Sequence, residues 1–378
     1  MAGSYDVIVV GLGGMGSAAC YQLAQRGKRV LGLERFDIPH ANGSSHGVTR
    51  IIRLAYYESP VYVPMLRRAF ELWREAGARF GERLLHVTGG LDASWDNGRV
   101  FMGSLQSCQE HGLPHEVLTG AEVNQRFPGY RLPNTHHAVF QPDAGFVLSE
   151  RAIVAHVEMA VAAGAEIHAR EKVLDWKPIA GGGVRVVTDR GRYEAAHLIL
   201  SPGAWMSSFV PELEPFAVPE RQVVGWFQPS APAKFAPDAF PVSIIEVDEG
   251  HYYMLPVFGI PGLKLGRYHH LNERGPAESL SHEVGEEDEE ALRWCLRRYF
   301  PEANGPVMTL RSCLFTVTPD EHFIIDTLPG NDDVIVASPC SGHGYKFASV
   351  VGEILADLAT SGKSRFDLSM FAMTRFAA

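Results

Sequence analysis

The first 35 residues alternate between short apolar runs and a helical pattern. One apolar run, Val7 to Val10, enters a glycine-rich turn, and a second extends from Val30 to Leu33. Between them, Ala18, Ala19 and Leu23 recur at the spacing of one helical face. Short strands that are apolar throughout are typical of a parallel sheet covered on both sides. The segment therefore predicts a β–α–β unit.

Farther along, apolar positions follow two different spacings. Helical spacing covers residues 60–76 and 152–163 and recurs in the segments after residues 283 and 347. Further short apolar runs predict strands near residue 173 and at residues 184–188, 198–200 and 333–337. Residues 222–265 instead alternate, are rich in aromatic side chains and contain Pro and Gly turns, which is typical of an antiparallel sheet. The sequence predicts an α/β fold of mixed α+β character, with a smaller antiparallel-sheet domain.

The charge balance narrows the class of partner. The chain has 378 residues, with 34 basic and 44 acidic side chains and a formal net charge of −10. Nucleic acids and anionic membrane surfaces are bound by clustered Lys and Arg, so neither is expected as a partner. Small molecules are the expected ligands.

Cysteine usage and apolar run lengths bear on the compartment. The five cysteines stand at unrelated spacings without a C-x-x-C pair, so neither a disulfide framework nor a metal site is expected. The opening residues lack the basic flank and long apolar stretch of a secretory signal. No apolar run is long enough to cross a bilayer. We expect a cytoplasmic protein.

A nucleotide-binding fingerprint follows the first predicted strand. Gly11, Gly13 and Gly16 form G-x-G-x-x-G at the start of the predicted helix, and Glu34 ends the next strand. Glycines at these positions permit a tight turn and close approach to a pyrophosphate, while the acid can accept hydrogen bonds from a ribose. The pattern predicts a dinucleotide site, although it does not by itself distinguish FAD from NAD.

Several other sequence blocks are specific in combination. They are P-H at 39–40, G-S-S-H-G-V-T-R-I-I-R at 43–53, Y-V-P at 62–64, G-L-K-L-G at 262–266, P-D-E-H-F-I-I-D at 319–326 and S-G-H-G-Y-K-F at 341–347. In this order they resemble the monomeric sarcosine oxidase and N-methyltryptophan oxidase family, nearly end to end. The resemblance is greater to the sarcosine oxidases.

This resemblance implies a flavin-dependent oxidase. The implied reaction is oxidation of N-methyl or cyclic secondary amino acids, first of all sarcosine with oxygen and water to glycine, formaldehyde and hydrogen peroxide. N-methyltryptophan, pipecolate or proline remain alternative substrates. A related FAD-dependent dehydrogenase that does not use oxygen and a non-catalytic FAD-binding protein remain alternative functions. A monomer is implied.

The resemblance also implies a division of the chain into two domains. Residues 1–90, 145–220 and 305–378 are expected to form a discontinuous, Rossmann-like FAD-binding domain. Residues 91–144 and 221–304 are expected to form the substrate domain.

The resemblance assigns one residue to the flavin and two residues to the substrate carboxylate. Cys313 matches the cysteine that carries FAD through the 8α-methyl carbon, and an ordinary buried cysteine is the alternative. Arg53 and Lys346 match the pair that binds the substrate carboxylate, for which Arg offers a planar fork and Lys a point charge. A surface ion pair is the alternative for these two.

The other catalytic assignments also come from the resemblance. Lys264 matches a lysine over the flavin that speeds the reaction with oxygen, with a solvent-facing lysine as the alternative. Arg50 and His46 match residues whose positive charge favours the anionic reduced flavin. Tyr253 matches a substrate-side tyrosine, and His269 is a further catalytic candidate.

The remaining cofactor contacts are expected around the turns. The Gly342-His343-Gly344 turn precedes a helix and offers backbone N–H groups to an anion or a flavin carbonyl. A helix N-terminus without a ligand is the alternative. Together, the fingerprint and the resemblance assign the following residues to FAD: Gly11, Gly13, Gly14, Met15, Gly16, Glu34, Arg35, Ser44, Ser45, Arg50, Val173, Gly203, Cys313, Gly342, His343, Gly344 and Lys346.

The sequence departs from the family pattern near the substrate. Relative to the family pattern, the sequence has one extra residue after Gly266, so either Tyr268 or His269 can face the substrate. Phe315 stands where the sarcosine oxidases carry a tyrosine. The C-terminal stretch 347–376 is closer to N-methyltryptophan oxidase. Substrate size is therefore left open.

Overall fold

The computed structural model describes residues 4–339 and 341–376. The strands are β1 Tyr5–Val10, β2 Val30–Leu33, β3 Thr49–Arg53, β4 Leu85–Val87, β5 Gly90–Trp95, β6 Glu116–Thr119, β7 His136–Gln141, β8 Ala144–Leu148, β9 Glu166–His168, β10 Val173–Pro178, β11 Val184–Thr188, β12 Arg192–Leu200, β13 Val218–Phe227, β14 Val242–Val247, β15 Gly250–Leu255, β16 Leu263–Arg267, β17 Val307–Val317, β18 Ile324–Leu328 and β19 Asn331–Ser338. The α-helices are α1 Gly14–Gln25, α2 Val63–Phe80, α3 Arg99–His111, α4 Gly120–Arg126, α5 Ser149–Ala162, α6 Met206–Phe209, α7 Glu286–Tyr299 and α8 Ala348–Ser361.

The first sheet contains the predicted β–α–β unit. β1 lies between β12 and β2 and is parallel to both, and β19 pairs in parallel with β12. β10, β11 and β18 add antiparallel strands, and β9 pairs in parallel with β2. α1, α5 and α8 pack together, with Ala19 and Leu23 in the same buried cluster as Val351 and Ile354. The predicted unit is confirmed.

The second sheet is mostly antiparallel, in the order β17-β13-β16-β15-β14-β5-β7-β6. Val223, Met254 and Leu265 point to one face and pack against Leu292 and Leu296 of α7. Because side chains alternate along a strand, the residues between them point to the opposite face. The alternation predicted for residues 222–265 therefore reflects a sheet that packs one face on α7 and turns its other face away from that helix.

A small third sheet contains three strands, in the order β3-β8-β4. β8 pairs with β3 and with β4, both antiparallel. β17 falls in the range assigned to the FAD-binding domain, yet its hydrogen bonds join it to β13 of the second sheet. The fold class is confirmed, whereas the division into two domains stays a prediction.

The helix expected at residues 60–76 has different bounds. Residues Pro60–Tyr62 form a separate 3-10 turn, and the α-helix begins at Val63 with Pro64 in its first turn, where no backbone donor is needed. It continues to Phe80 and ends at Gly81, whose φ is +77°. Across residues 4–339 and 341–376, none of the helices has the length and apolar character needed to span a membrane.

Candidate active site

The turn between β1 and α1 is shaped to admit a pyrophosphate. Gly11 has a φ of +86°, which is unfavourable for other residues, and a Cβ on Gly16 would lie 1.9 Å from the carbonyl oxygen of Gly11. Glu34 accepts the backbone N–H groups of Leu12 at 2.9 Å and Phe36 at 3.0 Å. The glycines and the acid thus have the geometry that the fingerprint predicts.

A cleft extends from this turn toward the second sheet. The predicted cofactor residues that line it are Gly11, Gly13, Gly14, Met15, Glu34, Arg35, Ser44, Ser45, Arg50, Val173, Gly203, Gly342 and Gly344. Phe315 and Thr316 of β17 line it as well, so the cleft connects both sheets. An elongated cleft with a glycine turn in its wall fits a dinucleotide such as FAD.

Four residues predicted to bind the cofactor do not line this cleft. Gly16 packs against the turn, and Cys313 and Lys346 are buried beside the cleft. The imidazole of His343 lies 2.6 Å from the Tyr56 hydroxyl through Nδ1, while Nε2 lies 2.8 Å from a backbone oxygen. Burial lowers the pKa of His343 to about 4, so its side chain is a neutral structural group.

The strand register places three predicted residues on one face of the second sheet. In β13, Gln222 lies opposite Cys313 and Trp226 lies opposite Lys264. Gln222 and Trp226 are four residues apart, so both side chains point to the same face. On β15, Tyr253 lies two positions from the residue opposite Lys264 and shares that face. This is the face turned away from α7.

Lys264 is buried rather than solvent-facing. Only 1% of the residue is exposed, and Nζ donates to the carbonyl oxygens of Gly47, at 2.9 Å, and Thr49. Burial lowers the pKa of this amine well below its usual value, and the nearby Arg50 guanidinium lowers it further. The solvent-facing alternative is therefore excluded.

Arg50 and His46 differ in charge. Arg50 lines the cleft and donates from Nη2 to the carbonyl oxygen of Ser44 at 2.9 Å. His46 is 3% exposed, and its ring nitrogens have no hydrogen-bond partner among the described residues. Burial and the Arg50 charge lower the pKa of His46 to about 3. Both effects disfavour the cation of His46, and its place near the flavin stays a prediction.

Arg53 lies in a buried cluster of charges and rings. Its Nη2 is 2.7 Å from a Glu58 oxygen and its Nη1 is 3.5 Å from an Asp92 oxygen. The guanidinium carbon lies 4.4 Å from the ring centre of Tyr56 and 4.7 Å from that of Tyr57. Burial opposes its charge, but the two carboxylates outweigh that effect and raise the pKa of Arg53. The surface ion-pair alternative is excluded for Arg53, since all three charged groups are buried.

Lys346 adds a second buried cation to this cluster. Its Nζ donates to the backbone oxygen of His343 at 2.7 Å and lies 5.3 Å from the ring centre of Tyr56. Burial lowers the pKa of Lys346 to about 7, and the Arg53 charge acts in the same direction. Two converging buried cations suit a carboxylate ligand.

The sequence prediction missed both acids of the cluster. Asp92 accepts a hydrogen bond from the Ser104 hydroxyl at 2.6 Å, and burial raises its pKa to about 6 against the opposing effect of Arg53. Glu58 stays ionised, because Arg53 overcomes the effect of burial and lowers its pKa. An acid within the otherwise buried strand Gly90–Trp95 was the available signal for Asp92.

Tyr268 and His269 point into different surroundings. The Tyr268 ring centre lies 6.1 Å from that of Tyr253 and 5.7 Å from that of Phe315. His269 lies between two acids, with Nδ1 at 2.8 Å from Glu220 and Nε2 at 3.5 Å from Glu321. Hydrogen bonds to Glu220 and then Glu321 raise the pKa of His269 to about 9. The structure brings Tyr268, and not His269, next to Tyr253.

Cys313 is buried in β17, with 1% of the residue exposed. Phe315 lies two residues along the strand and lines the cleft, so the sulfur side of Cys313 faces the cleft as well. Burial raises the pKa of the thiol, whereas Arg50 and Lys264 oppose that shift. The position fits a cysteine at the edge of a bound ring.

Comparison with known proteins identifies the family. Residues 6–358 match the model of the family described as FAD dependent oxidoreductase. The chain belongs to this family. The FAD dependent oxidoreductase predicted from the sequence blocks is therefore confirmed, and FAD is the cofactor of this family.

The chain is similar to two kinds of amine oxidase over nearly its full length. The chain is 42% identical over 382 residues to a monomeric sarcosine oxidase from Bacillus sp. (strain B-0618), covering 99% of this chain and 97% of that protein. It is 34% identical over 378 residues to N-methyl-L-tryptophan oxidase from Yersinia pestis (strain Pestoides F), covering 98% and 99%. The predicted resemblance, with greater similarity to the sarcosine oxidases, is confirmed.

A solved structure shares the whole architecture. This FAD dependent oxidoreductase superposes on NikD, an unusual amino acid oxidase essential for nikkomycin biosynthesis, with a TM-score of 0.84. Sequence identity is 26%, and the match covers 98% of this chain and 97% of NikD. The arrangement of both large sheets is therefore common to these enzymes.

Proposed function

We propose that this enzyme oxidises small N-methyl or cyclic secondary amino acids, with sarcosine as the first candidate. With oxygen and water, sarcosine would yield glycine, formaldehyde and hydrogen peroxide. The similarity to monomeric sarcosine oxidases supports this substrate class, and the similarity to N-methyl-L-tryptophan oxidase supports the larger alternative.

The buried pair Arg53 and Lys346 is the observation that carries the proposal. Within the described residues, Arg53 Nε is a buried donor without a hydrogen-bond partner. Lys346 Nζ has three hydrogens, one of which is donated to the backbone oxygen of His343. A substrate carboxylate would accept from both cations and complete their hydrogen bonding. Glu58 Oε1, a buried acceptor without a partner, would lie beside the substrate's polar end.

The bound FAD supplies the two-electron acceptor, and the residues around it bind, orient and stabilise charge. Cys313 is proposed to carry the FAD through a bond to the 8α carbon. Lys264, fixed by two carbonyl oxygens, is proposed to stabilise negative charge on oxygen as it is reduced. Arg50 is proposed to supply positive charge at the cleft, and His46 is proposed to lie beside it near the flavin ring.

Tyr268 takes the substrate-side role that the sequence left open. Its ring forms an aromatic wall with Tyr253 and Phe315, and its hydroxyl lies 3.4 Å from the backbone oxygen of Ser341. His269 is held outside this wall by Glu220 and Glu321. We assign Tyr253 and Tyr268 to the walls around the N-alkyl group, and His269 to a structural ion cluster.

The oligomeric state, the compartment and the division into domains are proposed as follows. The enzyme is proposed to act as a monomer, in keeping with the relatives named monomeric sarcosine oxidases. It is proposed to be cytoplasmic. Residues 1–90, 145–220 and 305–378 are proposed to form the FAD-binding domain, and residues 91–144 and 221–304 the substrate domain.

A substrate panel read as peroxide tests the proposed reaction. Purified enzyme is mixed in air with sarcosine, N-methyltryptophan, pipecolate or proline, and hydrogen peroxide is measured. Peroxide with sarcosine as the best substrate supports the proposal. If an artificial electron acceptor is reduced by the same amino acids while no peroxide forms, the enzyme is a dehydrogenase and the proposal is wrong.

A further inference from the structure

Gln222 is a buried polar side chain for which the proposed reaction has no use. The residue is fully buried in β13, and the strand register places it directly opposite Cys313 of β17. Directly opposite residues of an antiparallel pair point to the same face, with Cβ atoms about 4.5–5.5 Å apart. The Gln222 amide therefore lies on the same side of the sheet as the Cys313 sulfur.

Glu220 determines which end of the amide faces which way. Gln222 Nε2 donates to Glu220 Oε1 at 2.6 Å, and the same carboxylate accepts from His269 at 2.8 Å and Arg274 at 2.6 Å. These partners hold Glu220 ionised against the effect of burial, so its pKa is lowered. An ionised carboxylate accepts hydrogen bonds and cannot donate them. The amide nitrogen must therefore face Glu220, and the oxygen must face away.

The oxygen that faces away has no partner of its own. Gln222 Oε1 is buried and lacks a hydrogen bond within residues 4–339 and 341–376. Buried acceptors in folded proteins are nearly always paired, so an orphan of this kind indicates a donor that comes close in another state of the protein. The dimethylbenzene edge of a flavin has no N–H or O–H group. The thiol of the opposite Cys313 is a donor on the same face.

We propose that Gln222 positions Cys313 for covalent attachment of FAD. Before attachment, rotation of the Cys313 thiol brings its hydrogen to Oε1, and this hydrogen bond holds the sulfur toward the 8α carbon. Glu220 acts indirectly, because it fixes the orientation of the Gln222 amide. This inference rests on the proposed attachment through Cys313.

The attachment has a simple overall balance. One bond forms between the Cys313 sulfur and the 8α carbon, while an S–H bond and a C–H bond of the methyl group break. Two electrons and two protons are removed, and dioxygen takes them up as hydrogen peroxide. An amide is too weak a base to take either proton, so Gln222 orients the sulfur and does not act as the base.

The test measures covalent flavin and not turnover. Apoprotein is reconstituted with FAD in air, samples are precipitated with acid over time, and the yellow chromophore in the protein pellet is quantified. Gln222→Met keeps the side-chain length and removes the acceptor, so we expect attachment at least tenfold slower than in the wild type. Gln228→Met, the same change at an exposed position just beyond β13, should attach FAD at the wild-type rate. Attachment by Gln222→Met at that rate would overturn the proposal.

A second pair of variants separates positioning from folding. Cys313→Ser cannot form the thioether, so it reports non-covalent FAD affinity alone. Adding Gln222→Met to Cys313→Ser should leave the Kd for FAD within about twofold if Gln222 acts through the sulfur. Weaker FAD binding in that background would assign Gln222 to general site structure and overturn the inference. Wild-type protein without any covalent flavin would overturn the attachment itself, and this inference with it.

Discussion

Lys264 and Lys346 are two buried lysines with different partners. Lys264 donates to the backbone oxygens of Gly47 and Thr49. Lys346 instead lies beside Arg53, Glu58 and Asp92. Burying an ammonium group is costly unless something compensates it. The two lysines are therefore expected to serve separate steps, one with oxygen and one with the substrate carboxylate.

Replacing Lys264 with methionine should affect the reaction with oxygen. The proposed role of Lys264 is to stabilise charge that develops on oxygen, and removal of such a stabilising group costs about 100- to 1,000-fold in rate. Stopped-flow measurement should show slow reoxidation of reduced Lys264→Met, with anaerobic reduction by substrate largely retained. Lys177→Met, at an exposed lysine, is the control. A Lys264→Met enzyme that reoxidises as fast as that control would disprove the role.

Replacing Arg53 with methionine should weaken substrate binding. A hydrogen bond to a charged group contributes about 1.5–3 kcal/mol, so KM for the amino acid should rise about 10- to 100-fold. The change also leaves Glu58 without its buried partner, which should lower stability by about 3–5 kcal/mol. Steady-state kinetics and thermal unfolding check the two effects. An unchanged KM in Arg53→Met would contradict the carboxylate site.

The depressed pKa of Lys346 predicts a pH dependence. With a pKa of about 7 in the free enzyme, the ammonium is present below pH 7 and lost as the pH rises above it. Because kcat/KM reports ionisations of the free enzyme, kcat/KM for sarcosine should fall above about pH 7. Lys346→Arg keeps its charge over this range and should remove the fall. The same alkaline fall in both enzymes would assign it to another group.

At the scale of elements, the β1–α1 turn is predicted to bind the pyrophosphate of the cofactor. A Cβ at Gly16 would lie 1.9 Å from the Gly11 oxygen, so the helix start must shift to accept it. Gly16→Ala should lose FAD affinity at least about tenfold, since the turn must present its N–H groups closely to the pyrophosphate. Gly285→Ala, where the new methyl meets open space, is the control. Fluorescence titration of both apoproteins with FAD provides the measurement, and equal affinities would contradict the assignment.

The sequence predicted the elements better than the side-chain directions. The glycine fingerprint has a strong local pattern, and the alternation of residues 222–265 predicted the second sheet. The direction of Tyr268 and His269 was not predictable, because the acids that hold His269 come from β13 and from the loop after β17. The neutral state of His46 likewise depends on burial by distant segments.

At the scale of the whole molecule, the site forms where two sheets meet. The first sheet supplies the glycine turn, and the second supplies the face with Cys313, Lys264 and Tyr253. Arg53 comes from the small third sheet and Lys346 from the segment before α8. The buried charges of Arg53, Asp92 and Lys346 thus come from three distant parts of the chain, which explains why local sequence patterns missed Asp92.

The anaerobic reaction with sarcosine tests this arrangement most directly. In the absence of oxygen, we expect sarcosine to bleach the visible absorbance of the enzyme-bound flavin, and air should then restore the absorbance with one peroxide per flavin. Sarcosine and the cyclic and larger N-methyl amino acids are compared in the same experiment. A flavin that keeps its full absorbance with every one of these secondary amino acids would contradict the account.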